Sequence, residues 1–373
     1  MTTVLVVDDT ILYRKHVADV ISTIPGVRVV GSAPNGKIAL SRIAMLKPDL
    51  VTLDVEMPEM NGIEVLEAAG KAGFASAFLM VSALTIRGAD LSLKAIELGA
   101  IDVIAKPDGQ VQGRDDFSRE LRTRVEAFVR RHEIRTILTG QGSPRLQEYG
   151  RNQEVDRSNA PGLPQAAPMP KPEVRGTGLP RQACEIVAIG VSTGGPAALL
   201  QVIPKLPADF PVPIVVAQHM PPLFTASLAQ SLASRGKLTV KEGENGEVIK
   251  PGVVYLAPGG RHMRIDLGAD AITKIIRITD DPPENHCRPS VDYLFRSVAR
   301  HFYRRALAVI MTGMGDDGAR GAGDIRKSGG RVVVQDEDSS VVWGMPGATL
   351  ALGHADAVIP LEGLAAELSA RVR

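Results

Sequence analysis

The chain has 373 residues, 44% of them hydrophobic and 23% charged, and a formal net charge of +1. That length favours two or more globular domains, and the balanced charge offers neither nucleic acid nor an acidic membrane any bulk electrostatic hold. No apolar run reaches the ~20 residues that cross a bilayer, no basic leader precedes the first apolar segment, and the two cysteines, Cys184 and Cys287, make no disulfide framework. A cytoplasmic protein is expected, without membrane insertion.

From the N-terminus, apolar strands are predicted at 4–7, 27–30, 50–53, 77–81 and 102–104. They alternate with amphipathic helical patterns at 12–24, 38–46, 62–69 and 91–98, and a last helix is predicted over 117–138. Such alternation implies a parallel sheet covered on both faces. Polar residues interrupt these strands at their C-terminal ends: Asp8 and Asp9, Asp54, Ser82 and Lys106. In an open parallel sheet those ends converge on one crevice. Three carboxylates gathered there repel one another unless a cation lies between them, and oxygen-only donors suit Mg²⁺. Lys106 and Ser82 would add donors for an anion, which completes what an acyl-phosphate on aspartate needs. Helix capping would account for Asp9 but not for Asp54 opposite Lys106.

Val6-Val7-Asp8-Asp9, Leu53-Asp54-Val55-Glu56-Met57-Pro58, Ser82-Ala83 and Lys106-Pro107 resemble the receiver domain of two-component response regulators. The resemblance implies a flavodoxin-like fold with Asp54 as phosphoacceptor. It also implies Mg²⁺ held by Asp8, Asp9, Asp54 and the Glu56 carbonyl, and Ser82 and Lys106 contacting the phosphoryl group. Receivers carry an aromatic switch residue three positions before the lysine, where this chain has Val103.

Residues 139–181 contain seven prolines and few large apolar residues. Such a segment cannot bury enough apolar surface to offset its ordering entropy, so a flexible linker is expected between domains at 1–138 and 182–373. The second domain again alternates. Strands are predicted at 186–189, 214–217, 253–257, 307–311 and 332–334, and helices at 197–203, 225–233, 291–300 and 318–327. A hairpin over 259–279 turns at Gly268-Ala269-Asp270. The fold class is therefore α/β, with two doubly wound, mainly parallel-sheet domains.

Gly190-Val191-Ser192-Thr193-Gly194 matches the strand–turn–helix pattern that exposes a serine nucleophile beside backbone amides. The same glycines would also serve a phosphate-binding turn or close packing. A nucleophile needs a base and a group to orient it, and the strand-end rule selects His219 with Asp316 or Asp317. His262 is the competing base and His286 the third choice. A metal site of His219, His262 and His286 lacks compact spacing, and Cys287 beside His286 lacks further ligands. A single Ser-His-Asp site is the economical reading, in a chain order unlike that of α/β-hydrolases. A nicotinamide-binding fingerprint is weaker, because Ser192 stands where its second glycine belongs.

Gln218-His219-Met220-Pro221-Pro222, Tyr255-Leu256-Ala257-Pro258-Gly259, Arg288-Pro289-Ser290-Val291-Asp292, Thr312-Gly313-Met314-Gly315-Asp316-Asp317-Gly318 and Val342-Trp343-Gly344-Met345-Pro346 accompany the serine turn. Together they resemble the catalytic domain of the CheB chemotaxis methylesterases, a Rossmann-like fold. The resemblance implies a catalytic triad of Ser192, His219 and Asp317, with Thr193 and Met314 at the oxyanion and no cofactor for the ester chemistry. It further implies demethylation of glutamate methyl esters on chemoreceptors, with release of methanol, and deamidation of receptor glutamines. A chemotaxis histidine kinase would phosphorylate Asp54 of a monomer and so relieve the receiver's block on the esterase cleft. Nothing after residue 182 resembles a DNA-recognition helix.

Overall fold

The computed structural model describes residues 1–107, 111–138 and 183–372; the segment read above as a linker lies outside them. The N-terminal half forms β1 (Thr2–Val7), α1 (Ile11–Ser22), β2 (Val27–Ala33), α2 (Gly36–Leu46), β3 (Leu50–Asp54), α3 (Gly62–Lys71), β4 (Ala77–Ser82), α4 (Ile86–Glu97), β5 (Asp102–Ala105) and α5 (Val111–Leu138). Its five strands are all parallel in the order β2-β1-β3-β4-β5. Alternation along β1 divides the core: Val4 and Val6 face α1 and α5, while Leu5 and Val7 face α2, α3 and α4. Helix starts are set locally. Asn61 and Glu64 exchange side chain–backbone bonds in a capping box that opens α3, and Thr85 caps α4.

The C-terminal half continues with β6 (Ile186–Val191), α6 (Gly195–Val202), β7 (Ile214–Gln218), α7 (Phe224–Arg235), β8 (Thr239–Glu242), β9 (Val253–Leu256), β10 (His262–Leu267) and β11 (Lys274–Thr279). It closes with α8 (Val291–Phe302), β12 (Ala306–Ile310), α9 (Ala319–Lys327), β13 (Arg331–Gln335), α10 (Met345–Ala351), β14 (Ala357–Ile359) and α11 (Leu361–Arg371). Seven parallel strands run β14-β13-β12-β6-β7-β9-β8, and β10 and β11 pair as a separate antiparallel hairpin. From β6 the chain winds outward through β7, then returns to β12 on the other side. The switch point therefore lies between β6 and β12, where crevices open in such sheets. Helices α6, α7 and α11 cover one face; α8, α9 and the hairpin cover the other.

The predicted elements are present, with differences at their margins. Helix α4 begins at Ile86 rather than 91, because its first residue is exposed and breaks the apolar period. The second hairpin strand begins at Lys274 rather than directly after the Gly268-Ala269-Asp270 turn, because the Asp270 carboxylate accepts the amides of Ile272 and Thr273 and prolongs the turn. The edge strands β8 and β14 and helices α10 and α11 were not anticipated; the two strands have four and three residues.

One close approach fixes how α8 sits on the sheet. A Cβ on Gly190 of β6 would overlap the Val291 side chain at the start of α8. Gly190→Ala should lower the folding free energy by about 1–3 kcal/mol through overpacking, read as a reduced denaturant midpoint. An unchanged midpoint would show that α8 can shift away from the strand.

Candidate active site and phosphorylation pocket

In the N-terminal half, Asp8, Asp9 and Asp54 place carboxylate oxygens within 4.8 Å of one another at the strand ends. Lys106 Nζ lies 2.7 Å from Asp54 Oδ2 and 2.8 Å from Asp8 Oδ2. Burial pushes the Asp54 carboxyl up, Lys106 pulls it down, and Asp8 and Asp9 add to the rise, leaving it at about 6. Burial works against the Lys106 ammonium, but Asp54 and Asp8 hold its pKa above the ordinary value. These hard oxygen donors fit a divalent cation, whose charge would relieve the repulsion among them. Ser82 is buried and its hydroxyl donates to the Gly88 carbonyl at 3.2 Å, so it faces α4. The Glu56 carboxylate turns outward to Arg87. Val103 is core. Sequence reasoning missed Tyr13, whose ring lies 5.0 Å from Lys106 Nζ and whose hydroxyl donates to the Pro107 carbonyl. Only its place one turn into α1 could have suggested it.

In the C-terminal half, Ser192, His219 and Asp317 follow β6, β7 and β12, the strands flanking the switch point. Gly194 sits at φ +75° and turns the chain from β6 into α6. The turn is fixed by Gly195 N donating to Ser192 O at 2.8 Å and by Gln218 Nε2 donating to the same oxygen at 3.0 Å. His219 is tied alongside, its amide donating to Val191 O.

The Asp317 carboxylate is the best-satisfied group in the site. It accepts from His219 Nε2 at 2.7 Å, Val291 N at 2.7 Å, Ser290 Oγ at 2.9 Å, Asn285 Nδ2 at 2.9 Å and Asp292 N at 3.1 Å. Two of these donors are the first amides of α8, where the helix dipole favours an anion. Burial would raise the Asp317 pKa, but His219, the Val291 amide and Asn285 hold it far below the carboxylate range. Burial likewise acts to lower the His219 pKa; the bond to Asp317 and the adjacent Cys287 outweigh it and raise the imidazolium to about 10. Nδ1, on the other side of the ring, faces Cys287 Sγ at 3.6 Å. The Ser192 hydroxyl forms no hydrogen bond with His219 in this arrangement.

His262 is fully buried and committed elsewhere: Nε2 lies 3.1 Å from Pro282 O, Nδ1 accepts Ser290 N, and the ring stacks on Tyr293. It positions the loop that carries Ser290. His286 is exposed in that loop. Among the described residues, His219 meets neither of them in a metal-holding group; it meets Cys287 and Asp317. Asp316 is exposed, and Met314 is half-buried on the same loop as Asp317. Asn285 and Ser290 were missed as Asp317 partners, although their proximity to the Arg-Pro-Ser motif was a usable signal.

The family comparisons agree with this division. Residues 187–368 match the model for CheB methylesterase, and residues 4–115 match the response regulator receiver domain. A protein-glutamate methylesterase/protein-glutamine glutaminase of Desulfotalea psychrophila is 45% identical over 98% of this chain and 97% of its own length. One of the same name from Trichodesmium erythraeum is 40% identical over 99% and 98%. The chain belongs to the CheB methylesterase family. The crystal structure of the Thermotoga maritima CheB catalytic domain is 43% identical, covers 51% of this chain and 99% of that one, and superposes with a TM-score of 0.49.

The receiver lies against the esterase domain. Helix α4 packs on α7, with Ser227 Oγ donating to Asp90 at 2.7 Å, Ser231 Oγ to Glu97 at 2.8 Å, and Arg235 pairing with Glu97 at 2.5 Å. Beside these contacts is a cavity of about 240 Å³ lined by Asp102, Arg124 and Phe128 of the receiver and Thr193, Val341 and Val342 of the esterase. Asp102 is buried 3.1 Å from Arg124 Nε. Burial raises its pKa, opposed by Arg124, the Val103 amide and, across the interface, the Thr193 hydroxyl and Gly194 amide. The cross-interface contacts are loose, since neither Asp102 Oδ2 nor Thr193 Oγ1 has a well-formed hydrogen bond. A receiver carboxylate thus sits on the turn that carries Ser192.

The His219–Asp317 pair has a direct spectroscopic consequence. In the resting chain the His219 imidazolium should persist above neutral pH and lose its proton near pH 10. Asp317→Asn removes one of the two groups that raise it, while burial still lowers it and Cys287 still raises it, so the midpoint should fall well below that of the parent. Histidine NMR titration reads both. An identical midpoint in the two proteins would rule out Asp317 as the cause.

Proposed function

We propose that this chain is a phosphorylation-controlled hydrolase that removes methyl groups from glutamate methyl esters of chemoreceptors and deamidates receptor glutamines. The observation that carries the reading is the Asp317–His219 pair at the switch point, one strand end from Ser192, within the CheB family match. Nε2 is held by Asp317, so Nδ1 is the ring atom left to take the Ser192 proton as Oγ attacks the ester carbonyl. For this the imidazole must be neutral and Ser192 must turn towards it, neither of which holds in the resting arrangement. The tetrahedral oxyanion is met by the Thr193 amide, with Met314 beside it. His219 returns the proton to the leaving methoxide, methanol departs, and water activated by His219 hydrolyses the acyl-enzyme to glutamate. Attack on a glutamine amide follows the same path with ammonia leaving.

Control comes from the receiver. Asp54 accepts the phosphoryl group from a histidine kinase; Asp8, Asp9, Asp54 and the Glu56 carbonyl are the groups that would hold Mg²⁺. The metal, when bound, neutralises charge on the transferring phosphoryl group. Lys106, freed from its carboxylate partners, pairs with the phosphoryl oxygens; Ser82 reaches them only by turning from Gly88. The Asp102–Arg124 face then leaves the Ser192 turn, and the receptor segment takes its place. The division into a receiver at 1–138, a linker at 139–181 and an esterase at 182–373 is part of this proposal.

Ser192→Ala should lower methanol release from methylated receptors by roughly 10⁴-fold or more while the unfolding midpoint stays near that of the parent. Near-normal turnover would sink the triad assignment. Asp54→Asn should keep the basal rate but lose the acceleration that a small-molecule phosphodonor with Mg²⁺ gives the parent chain. If the variant were stimulated equally, Asp54 would not be the acceptor.

A further inference from the structure

The Cys287 thiol has no part in the reaction just described, yet its Sγ lies 3.6 Å from His219 Nδ1. The opposite ring nitrogen, Nε2, is 2.7 Å from Asp317 Oδ2. An imidazole whose one N–H is donated to a carboxylate, so that the other nitrogen can turn its lone pair to a metal once its proton has left, is the arrangement in which metal-bound histidines are held. Tetrahedral Zn²⁺, with Zn–S of about 2.3 Å and Zn–N of about 2.0–2.1 Å, sets its sulfur and nitrogen ligands about 3.5–3.6 Å apart. The separation of Cys287 Sγ from His219 Nδ1 fits that span without movement. Asp317 completes the group, all three ligand atoms lying within 4.8 Å of one another. Its oxygens already accept from five donors, so it anchors the ring and water fills the remaining positions.

We infer that His219 Nδ1 and Cys287 Sγ form an inhibitory site for a soft divalent cation of the Zn²⁺ type. On binding, the thiol proton and the Nδ1 proton of the imidazolium both leave to solvent, and the freed sulfur and Nδ1 lone pairs enter the metal's coordination shell. The inhibition rests on the reading of His219 as base, because the occupied lone pair is the one that receives the Ser192 proton. Thiolate and imidazole select Zn²⁺ over Mg²⁺, so the cation that serves the receiver does not occupy this site.

The test uses full-length, metal-stripped protein supplied with phosphodonor and Mg²⁺. Titration with Co²⁺ as a spectroscopic probe should give a near-ultraviolet thiolate-to-cobalt charge-transfer band in the parent and in Ser192→Ala, bleached by Zn²⁺ and missing from Cys287→Ala. Zn²⁺ should inhibit methanol release reversibly towards a chelator. Cys287→Ala, compared with its own metal-free rate, should need about tenfold more Zn²⁺ or greater for the same inhibition. Equal Zn²⁺ sensitivity with and without the thiol, or an unchanged cobalt spectrum, overturns the site. A parent enzyme that shows the band yet hydrolyses at full rate overturns the inhibitory claim. The base assignment has its own readout: metal-free His219→Gln must lose methanol release whatever the metal does.

Discussion

The Asp317 carboxylate is the interaction on which the catalytic half is built. Five donors converge on it from the end of β7, the 285–290 loop and the first turn of α8. A buried anion left unpaired would cost several kcal/mol, so each donor is held in place by the same requirement. The close approach of α8 to Gly190 positions the Val291 and Asp292 amides, and that position fixes the carboxylate. Asp317 then fixes which nitrogen of His219 remains available. The orientation of the base is thus settled by helix packing on the far side of the sheet from the nucleophile's own helix.

The parts of the fold that sequence made legible share one cause. Central parallel strands are buried on both faces, so β6, β7 and β12 read as unbroken apolar runs, and their chemistry could be located at the ends where those runs stop. The edge strands β8 and β14 lack that signature because one side meets solvent, and α10 and α11 follow motifs that read as loop. In the sites, Ser192, His219 and Lys106 were legible because each follows a strand directly, Asp54 because it ends one, and Asp317 because it lies on the loop that leaves β12. Cys287, Asn285 and Ser290 were not, because they lie on a loop between the hairpin and α8. No local period tells where such a loop will fold back. His262 shows the reverse error. Its place after a glycine turn suggested a base, whereas both ring nitrogens are spent holding that loop.

Strand β5 joins the two sites. Lys106, just past its C-terminal end, bridges Asp54 and Asp8, while Asp102 at its start faces Thr193 across the interface. Lys106 and Asp102 thus lie at opposite ends of one short strand. Arg124 on α5 and Tyr13 on α1 lie on either side, and Phe117 of α5 packs edge-on against Tyr13. The ring beside the lysine is that of Tyr13 on α1, while Val103 on β5 is part of the core.

The closed arrangement is held by contacts of unequal quality, and that imbalance suits a switch. The Ser231–Glu97 hydrogen bond and the Arg235–Glu97 pair between α7 and α4 lie towards solvent, where such pairs contribute about 0–1 kcal/mol each. The Asp102–Arg124 pair is buried, but Asp102 Oδ2, Arg124 Nε and Thr193 Oγ1 all lack a well-formed bond, so much of its attraction is offset by desolvation. What holds the receiver down is chiefly the apolar cluster shared by α4, α6 and α7. An interface held this way needs only a few kcal/mol of preference for a separated form to shift its population.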